Sequence, residues 1–484
     1  MTFAVKRNLI FSVIVLAIGL RLICLDKSFQ GDEFLSVQHA MKSVGDIAGN
    51  LLADAHPPLY FYLLHAVMRF PWSEEILRLL SVIAGVGMCI AVYMIGKRAM
   101  EKEGGLVAAF LVAIAPVTVW SSQYIRTYAT AAFFTVFSIY FLMRIMRKEA
   151  EEFPSWALFV FFSAASIYTF YFSALVIVAE NVFVALFMRE DKGFLKKWAL
   201  SQIFIAALYL PWIPFFIYQR AVYTGHPQLV ERIGFYIGNI HIGALIRSLL
   251  GIVGFDPRFL AKEAMSAHDA LKYASLAGML ISSLAATLLA AKYIRSPKFT
   301  RDERKYAYFF LILAAVPFAI AIFLHQAVKI VLMSHYFIAS FVFLVLFLVA
   351  ACRAVLSEKA QYLLLAAVSA VFLSRLVFLY ADKEMDLKGA HAYAKAVATR
   401  ETAIVSPSFG GSFKYYFYDM PNLHQLEDPD VRRIADREIV FISYPEKLES
   451  RRCHERFNSF LNGRYTPVDS KKFGDLTVQR YRKL

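Results

Sequence analysis

Apolar residues along this chain come in long unbroken runs separated by short charged segments. A soluble sheet would alternate apolar and polar residues, and a surface helix would show an apolar stripe. Runs of about 20 apolar residues have the length of a helix that crosses a bilayer. They predict eleven spans, near 8–25, 76–96, 105–121, 127–146, 156–171, 172–188, 199–218, 274–293, 306–324, 336–354 and 361–380. The stretch 156–188 is one continuous apolar run, and Tyr168, Thr169, Tyr171 and Ser173 give it a polar middle where a turn divides it in two. After residue 380 the pattern changes. Leu387–Thr399 and Glu446–Leu461 read as helices, and Thr402–Ser406, Glu438–Tyr444 and Leu476–Tyr481 as short strands. The expectation is a polytopic α-helical membrane protein with a small C-terminal α/β domain: a membrane module at 1–380 and the domain at 381–484.

Composition agrees. Of 484 residues, 59% are hydrophobic and 18% charged, too few charges for the surface of a soluble domain this large. Lys6 and Arg7 precede the first run as they would in a signal peptide, but no small-residue cleavage site follows, so the run reads as a retained span. The formal charge of +15 is confined to short segments between spans, with no aromatic-basic motif in a polar domain, which argues against nucleic acid. Cys24, Cys89 and Cys352 sit in apolar stretches and Cys453 stands alone, so neither a disulfide framework nor a metal site is indicated.

Charge also sets orientation. The basic segments around Lys97, Arg144, Arg189, Lys292–Lys305 and Arg353 fall on one side together with Lys6 and Arg7, provided 156–188 holds two spans. Basic loops stay in the cytoplasm. The N-terminus is then cytoplasmic, in an inner (cell) membrane, and the loops 26–75 and 219–273, the turns 122–126 and 325–335 and the tail lie outside. No internal repeat is visible, whereas many transporters are built from repeats.

The first outer loop carries the candidate chemistry. It opens with Gln30-Gly31-Asp32-Glu33 and continues to Asp54-Ala55-His56-Pro57-Pro58-Leu59-Tyr60. By itself the acidic pair suits a solvated helix start, with Asp32 as its cap. Pro57 and Pro58 fix the backbone and suit the start of a new helix, so His56 and Asp54 project from a rigid corner at the membrane interface. The aromatic residues that follow equally suit an interfacial belt.

The combination is more specific than its parts. A span, an acidic pair, a His-Pro-Pro-Leu corner about 24 residues later and a second span resemble the protein O-mannosyltransferases and the related lipid A aminoarabinose transferases, both of the GT-C class of glycosyltransferases. Ala115-Pro116 followed by Ser121-Ser122-Gln123-Tyr124-Ile125-Arg126-Thr127-Tyr128, then Pro211-Trp212-Ile213-Pro214, then the helix Lys388–Ala396, are similar in the same order. The chain departs from the pattern where Tyr124 and Phe170 replace frequent acidic and histidine positions, and where His335-Tyr336 replaces an arginine-tyrosine pair.

The resemblance implies transfer of a sugar from a polyprenyl-phosphate donor to a lipid, glycan or protein acceptor on the outer face, without a cofactor or metal. A hydroxyl acceptor needs a base. The resemblance gives that role to Asp32, with Glu33 as its neighbour and alternative. The departing phosphate needs fixed donors; Arg126 offers a bidentate fork, and His56, Tyr128, Lys329, His335 and Tyr336 are further candidates, with Asp54 lining the site. Two other functions stay open: a flippase or transporter of lipid-linked sugars, and a polysaccharide ligase or polymerase, for which His226, Arg232, His241 and Arg247 in the loop 219–273 would matter.

Overall fold

A computed structural model describes residues 3–149, 152–225, 292, 301–328, 333–381, 385–406, 411–420, 422–425, 437–443 and 457–484. The expected span 274–293, most of the loop 219–273, the helix segment 446–456 and Lys329 lie outside the described residues. The described chain divides into two compact units. One comprises Met1–Ile23, His39–Pro71 and Ile76–Leu379; the other comprises Cys24–Gln38, Trp72–Glu75 and Tyr380–Leu484.

The first unit is helical. Among the described residues six helices are long and apolar enough to cross a membrane: Glu74–Ile114, Thr127–Met146, Lys192–Val222, Arg304–His325, His335–Val355 and Glu358–Ala381. Shorter apolar helices cover Leu9–Leu22, Phe153–Thr169 and Ser173–Phe187. The chain is a multi-pass membrane protein. The apolar run 156–188 breaks at Phe170–Phe172, inside the polar middle that its sequence marks.

The long helix Glu74–Ile114 is a folded-back pair. Its φ/ψ leave the helical region at Met100 and Glu101, and Glu101 takes a φ of 65°. In a straight helix, residues eight apart are about 12 Å from each other. Here a Cβ on Gly105 would lie 2.6 Å from the backbone nitrogen of Lys97, and one on Gly96 would lie 2.7 Å from the Cα of Gly105. The two arms therefore meet backbone to backbone where neither residue carries a side chain. The second arm ends at Ala115, extended before Pro116, which opens the short helix Pro116–Ser122 as a first-turn proline. Ahead of it, Arg21 in the first helix is fully buried. Its guanidinium donates to the carbonyls of Ala17 and Ala113 and to Ser122 Oγ. Gln123 Nε2 donates to the carbonyl of Ile23 at 2.7 Å. An unpaired polar group inside a bilayer is costly, so these bonds fasten the first helix to the turn that leads to Arg126.

The second unit holds a five-stranded sheet of order β2-β1-β3-β5-β4, with β1 Thr402–Ser406, β2 Leu423–Gln425, β3 Glu438–Ser443, β4 Tyr465–Phe473 and β5 Leu476–Lys483. β1 pairs in parallel with β2 and β3, while β5 runs antiparallel to β3 and β4. β1 and β3 are buried on both faces, as continuous apolar strands require. Ile404, Val440, Ile442 and Val478 pack under the helices Leu387–Val397 and Gly411–Phe417. Ala403, Val405, Ile439 and Phe441 pack against Phe457 and Leu461 on the opposite face. The expected strands at 402, 438 and 476 and the helix at 387 are present; β2, β4 and the helix Gly411–Phe417 were not anticipated.

This unit also takes in the start of the first outer loop. Lys388 Nζ lies 3.3 Å from Glu74 Oε1 and donates to the carbonyl of Asp26. Tyr416 donates to Glu74 and accepts from the backbone nitrogen of Phe29, each at 2.8 Å.

Candidate active site

Asp32 and Glu33 occupy the first turn of the helix Gly31–Ala40 and have different surroundings. Glu33 is 1% exposed, and its Oε2 accepts from the backbone nitrogen of Gln30 at 3.0 Å. A third-position glutamate reaching back to the residue ahead of the helix satisfies one of the donors that every helix start leaves over. Asp32 is exposed. The two adjacent carboxylates thus divide into one that closes the turn and one that faces out.

In the helical unit, four of the polar side chains converge. The segment Leu51–Ala53 is a single 3-10 turn, after which Asp54 is extended and the Pro57–Pro58 corner starts the helix Leu59–Val67. That corner turns His56 back on Asp54: His56 Nδ1 lies 2.7 Å from Asp54 Oδ1. The other carboxylate oxygen faces His39, whose Nε2 stands 3.0 Å away. The remaining nitrogen of His56, Nε2, lies 3.2 Å from a terminal nitrogen of Arg126. Arg126 is 5% exposed and, as the residue just before the helix Thr127–Met146, has extended backbone. The carbonyl of His56 is held from a third direction by Gln219 Nε2, which also donates to the carbonyl of Leu51 at 2.6 Å. Tyr171 donates to Gln219 and accepts from Trp212 Nε1 at 2.9 Å, so the Pro211-Trp212 turn is tied to the same corner.

Charge explains the arrangement. Burial alone would push the carboxyl of Asp54 up; its electrostatic interaction with His56, the contacts from His39 and His56 and the charge of Arg126 together outweigh it and hold the group well below the usual carboxylate range. Arg126 adds a buried positive charge to a helix start that is already positive. Such a pairing of like signs is favourable only with an anion close by, and Asp54 supplies one through His56.

Aromatic rings close the cluster. Phe170 stacks on His56 with ring centroids 6.2 Å apart and meets Tyr128 and Tyr336 edge-on. The guanidinium carbon of Arg126 is 6.0 Å from the ring of Tyr128, and Tyr128 in turn contacts His335 at 4.4 Å. A small cavity opens beside them, lined by Tyr128, Phe170, Phe172, Ser173, His335 and Tyr336 among others. Of the residues expected to form a site, His56, Arg126, Tyr128, His335, Tyr336 and Asp54 therefore form one continuous group. His39, Tyr171 and Gln219 belong to it and were missed. Among the described residues no three His, Cys, Asp or Glu side chains gather as metal ligands.

Residues 55–216, about a third of the chain and the segment that contributes His56 and Arg126, match the family model of dolichyl-phosphate-mannose-protein mannosyltransferases. Over that segment the chain is similar to these mannosyltransferases. Among solved structures it is similar to the apo oligosaccharyltransferase of Archaeoglobus fulgidus, 14% identical over 95% of this chain and 69% of that one, at a TM-score of 0.50. That likeness is one of fold. It is also similar to ArnT of Cupriavidus metallidurans bound to undecaprenyl phosphate, 12% identical over 99% of this chain and 98% of that one, at a TM-score of 0.44. No curated protein sequence matches it.

Proposed function

We propose that this protein is a glycosyltransferase that takes a sugar from a polyprenyl-phosphate donor on the outer side of the membrane and passes it to a lipid, glycan or protein hydroxyl. The supporting observation is that the segment matching the mannosyltransferases also builds a buried arginine at a helix start. Backbone N–H groups and a guanidinium directed to one place suit a phosphate.

In the proposed reaction the acceptor oxygen attacks the anomeric carbon as the bond from that carbon to the phosphate oxygen breaks. The phosphate leaves with its negative charge, which Arg126 holds, with Tyr128, His335, Tyr336 and Lys329 as further contacts. The acceptor proton passes to Asp32, which is exposed, while Glu33 accepts the bond from the Gln30 nitrogen. A single displacement inverts the anomeric configuration. The N-terminus is cytoplasmic and the C-terminal unit extracytoplasmic, as the basic loops require, and the membrane module carries eleven spans.

The configuration of the product tests the scheme. Purified enzyme given a donor of known anomeric configuration should yield the opposite one by NMR. Retention would require a covalent intermediate and would exclude Asp32 acting only as a base.

A further inference from the structure

His56 lies where a phosphate ligand is expected, yet both of its ring nitrogens are engaged within the protein. Nδ1 faces a carboxylate oxygen of Asp54 at 2.7 Å and Nε2 faces Arg126 at 3.2 Å. A guanidinium has only donors, so the nitrogen that faces it must accept. A carboxylate has only acceptors, so the nitrogen that faces Asp54 must donate. The two contacts together fix one state of the ring: neutral, with the proton on Nδ1. Asp54 is in turn 6% exposed and bracketed on its second oxygen by His39. Phe170 covers one face of the ring, and Gln219 holds its backbone carbonyl.

We infer that His56 is a positioning residue: Asp54 sets its tautomer, and its Nε2 then aims the Arg126 guanidinium rather than touching the donor phosphate itself. This rests on the assignment of Arg126 to the phosphate. It differs from the direct-ligand role in its consequences. A direct ligand to phosphate is improved or preserved by a fixed positive charge, while a positioning acceptor is abolished by one. A direct ligand contributes independently of Arg126, while a positioning residue has no effect once Arg126 no longer presents its fork.

Binding of undecaprenyl phosphate to the purified full-length protein in detergent, followed by calorimetry, separates the two. Asp54→Asn lets the ring donate from Nε2, and it should weaken binding about tenfold in the natural background, the scale of one charged hydrogen bond. In an Arg126→Lys background the same substitution should change nothing further. Additive losses would overturn the inference. His56→Lys should bind as weakly as His56→Leu, while His56→Gln, which keeps an acceptor, should recover part of the affinity; tighter binding by His56→Lys would overturn it. Each variant is compared only if its elution and thermal midpoint match the parent. Side-chain 15N NMR of histidine, assigned against His56→Gln, gives a readout that needs no ligand. The Nδ1–H tautomer is expected near neutral pH and should be lost in Asp54→Asn; an Nε2–H or doubly protonated ring in the parent would overturn the inference. Failure of the parent to bind undecaprenyl phosphate while showing the Nδ1–H tautomer would count against the donor assignment and leave the Asp54-to-Arg126 arrangement standing.

Discussion

His56 Nε2 stands 3.2 Å from a terminal nitrogen of Arg126, a residue 70 positions further along the chain. Through that contact the Pro-Pro corner, the broken helix around Phe170 and the start of the helix Thr127–Met146 share one buried charge. Arg126→Lys keeps the charge and removes the planar fork. The expected outcome is a donor KM raised roughly tenfold or more with normal expression, since one bidentate phosphate contact becomes a single one. Steady-state kinetics over a range of donor concentrations would show it, and an unchanged KM would remove Arg126 from the phosphate site.

Asp32 and Glu33 should respond differently to substitution. Asp32→Asn keeps size and removes basicity, so folding and donor binding should survive while transfer falls by about 10²–10⁴, the worth of a positioned base. Glu33→Ala should instead lower the thermal midpoint through loss of about 1 kcal/mol of capping, and Glu33→Gln, which still reaches the Gln30 nitrogen, should restore it. A normal rate in Asp32→Asn together with a lost rate in Glu33→Gln would move the base one residue along.

Asp54 makes a prediction about acid stability. Its native carboxyl titrates well below the ordinary value of 3.8. The stabilisation it brings is therefore complete above that value and is lost as pH falls below it toward the native pKa. Thermal midpoints measured between about pH 5 and pH 2 should fall more steeply for the parent than for Asp54→Asn, which has no such group to protonate. Parallel slopes would show that the carboxylate is not held by His56, His39 and Arg126.

The folded-back helix depends on its glycines. A side chain on Gly105 would begin 2.6 Å from the Lys97 nitrogen and 2.8 Å from the Tyr93 carbonyl. These are backbone atoms that cannot turn away, so Gly105→Leu should force the arms apart. Overpacking of this kind costs about 1–3 kcal/mol or more, read as a lower midpoint or loss of folded protein from detergent extracts. Wild-type stability in that variant would contradict the packing described.

The spans were legible in the sequence because their signal is length: a bilayer demands about 20 apolar residues whatever their neighbours. The break at Phe170–Phe172 was legible from its polar flanks. The folding back at Glu101 was legible as the basic segment between the expected spans 76–96 and 105–121, whereas the contact between Gly96 and Gly105, nine residues apart, is encoded by no local pattern. Candidate residues separated in the same way. His56 was marked by a proline corner, and Arg126 by the Ser121–Tyr128 motif of the resemblance. His39 and Gln219 carry no such mark; they join the site only through tertiary packing. Arg21 did leave a signal, an arginine inside an apolar run, and charged residues at membrane depth are rarely idle. Asp32 and Glu33 looked alike as an adjacent pair, and only the bond to the Gln30 nitrogen distinguishes them.

The central claim is that a lipid-linked sugar is the donor. Its most direct measurement is release of free polyprenyl phosphate by the purified protein from a panel of labelled polyprenyl-phosphate sugars, with and without hydroxyl acceptors. At least one donor should yield polyprenyl phosphate in proportion to sugar transferred, and Asp32→Asn should nearly abolish both. Movement of intact donor across reconstituted vesicles, with no polyprenyl phosphate released from any member of the panel, would contradict the account and make the protein a transporter.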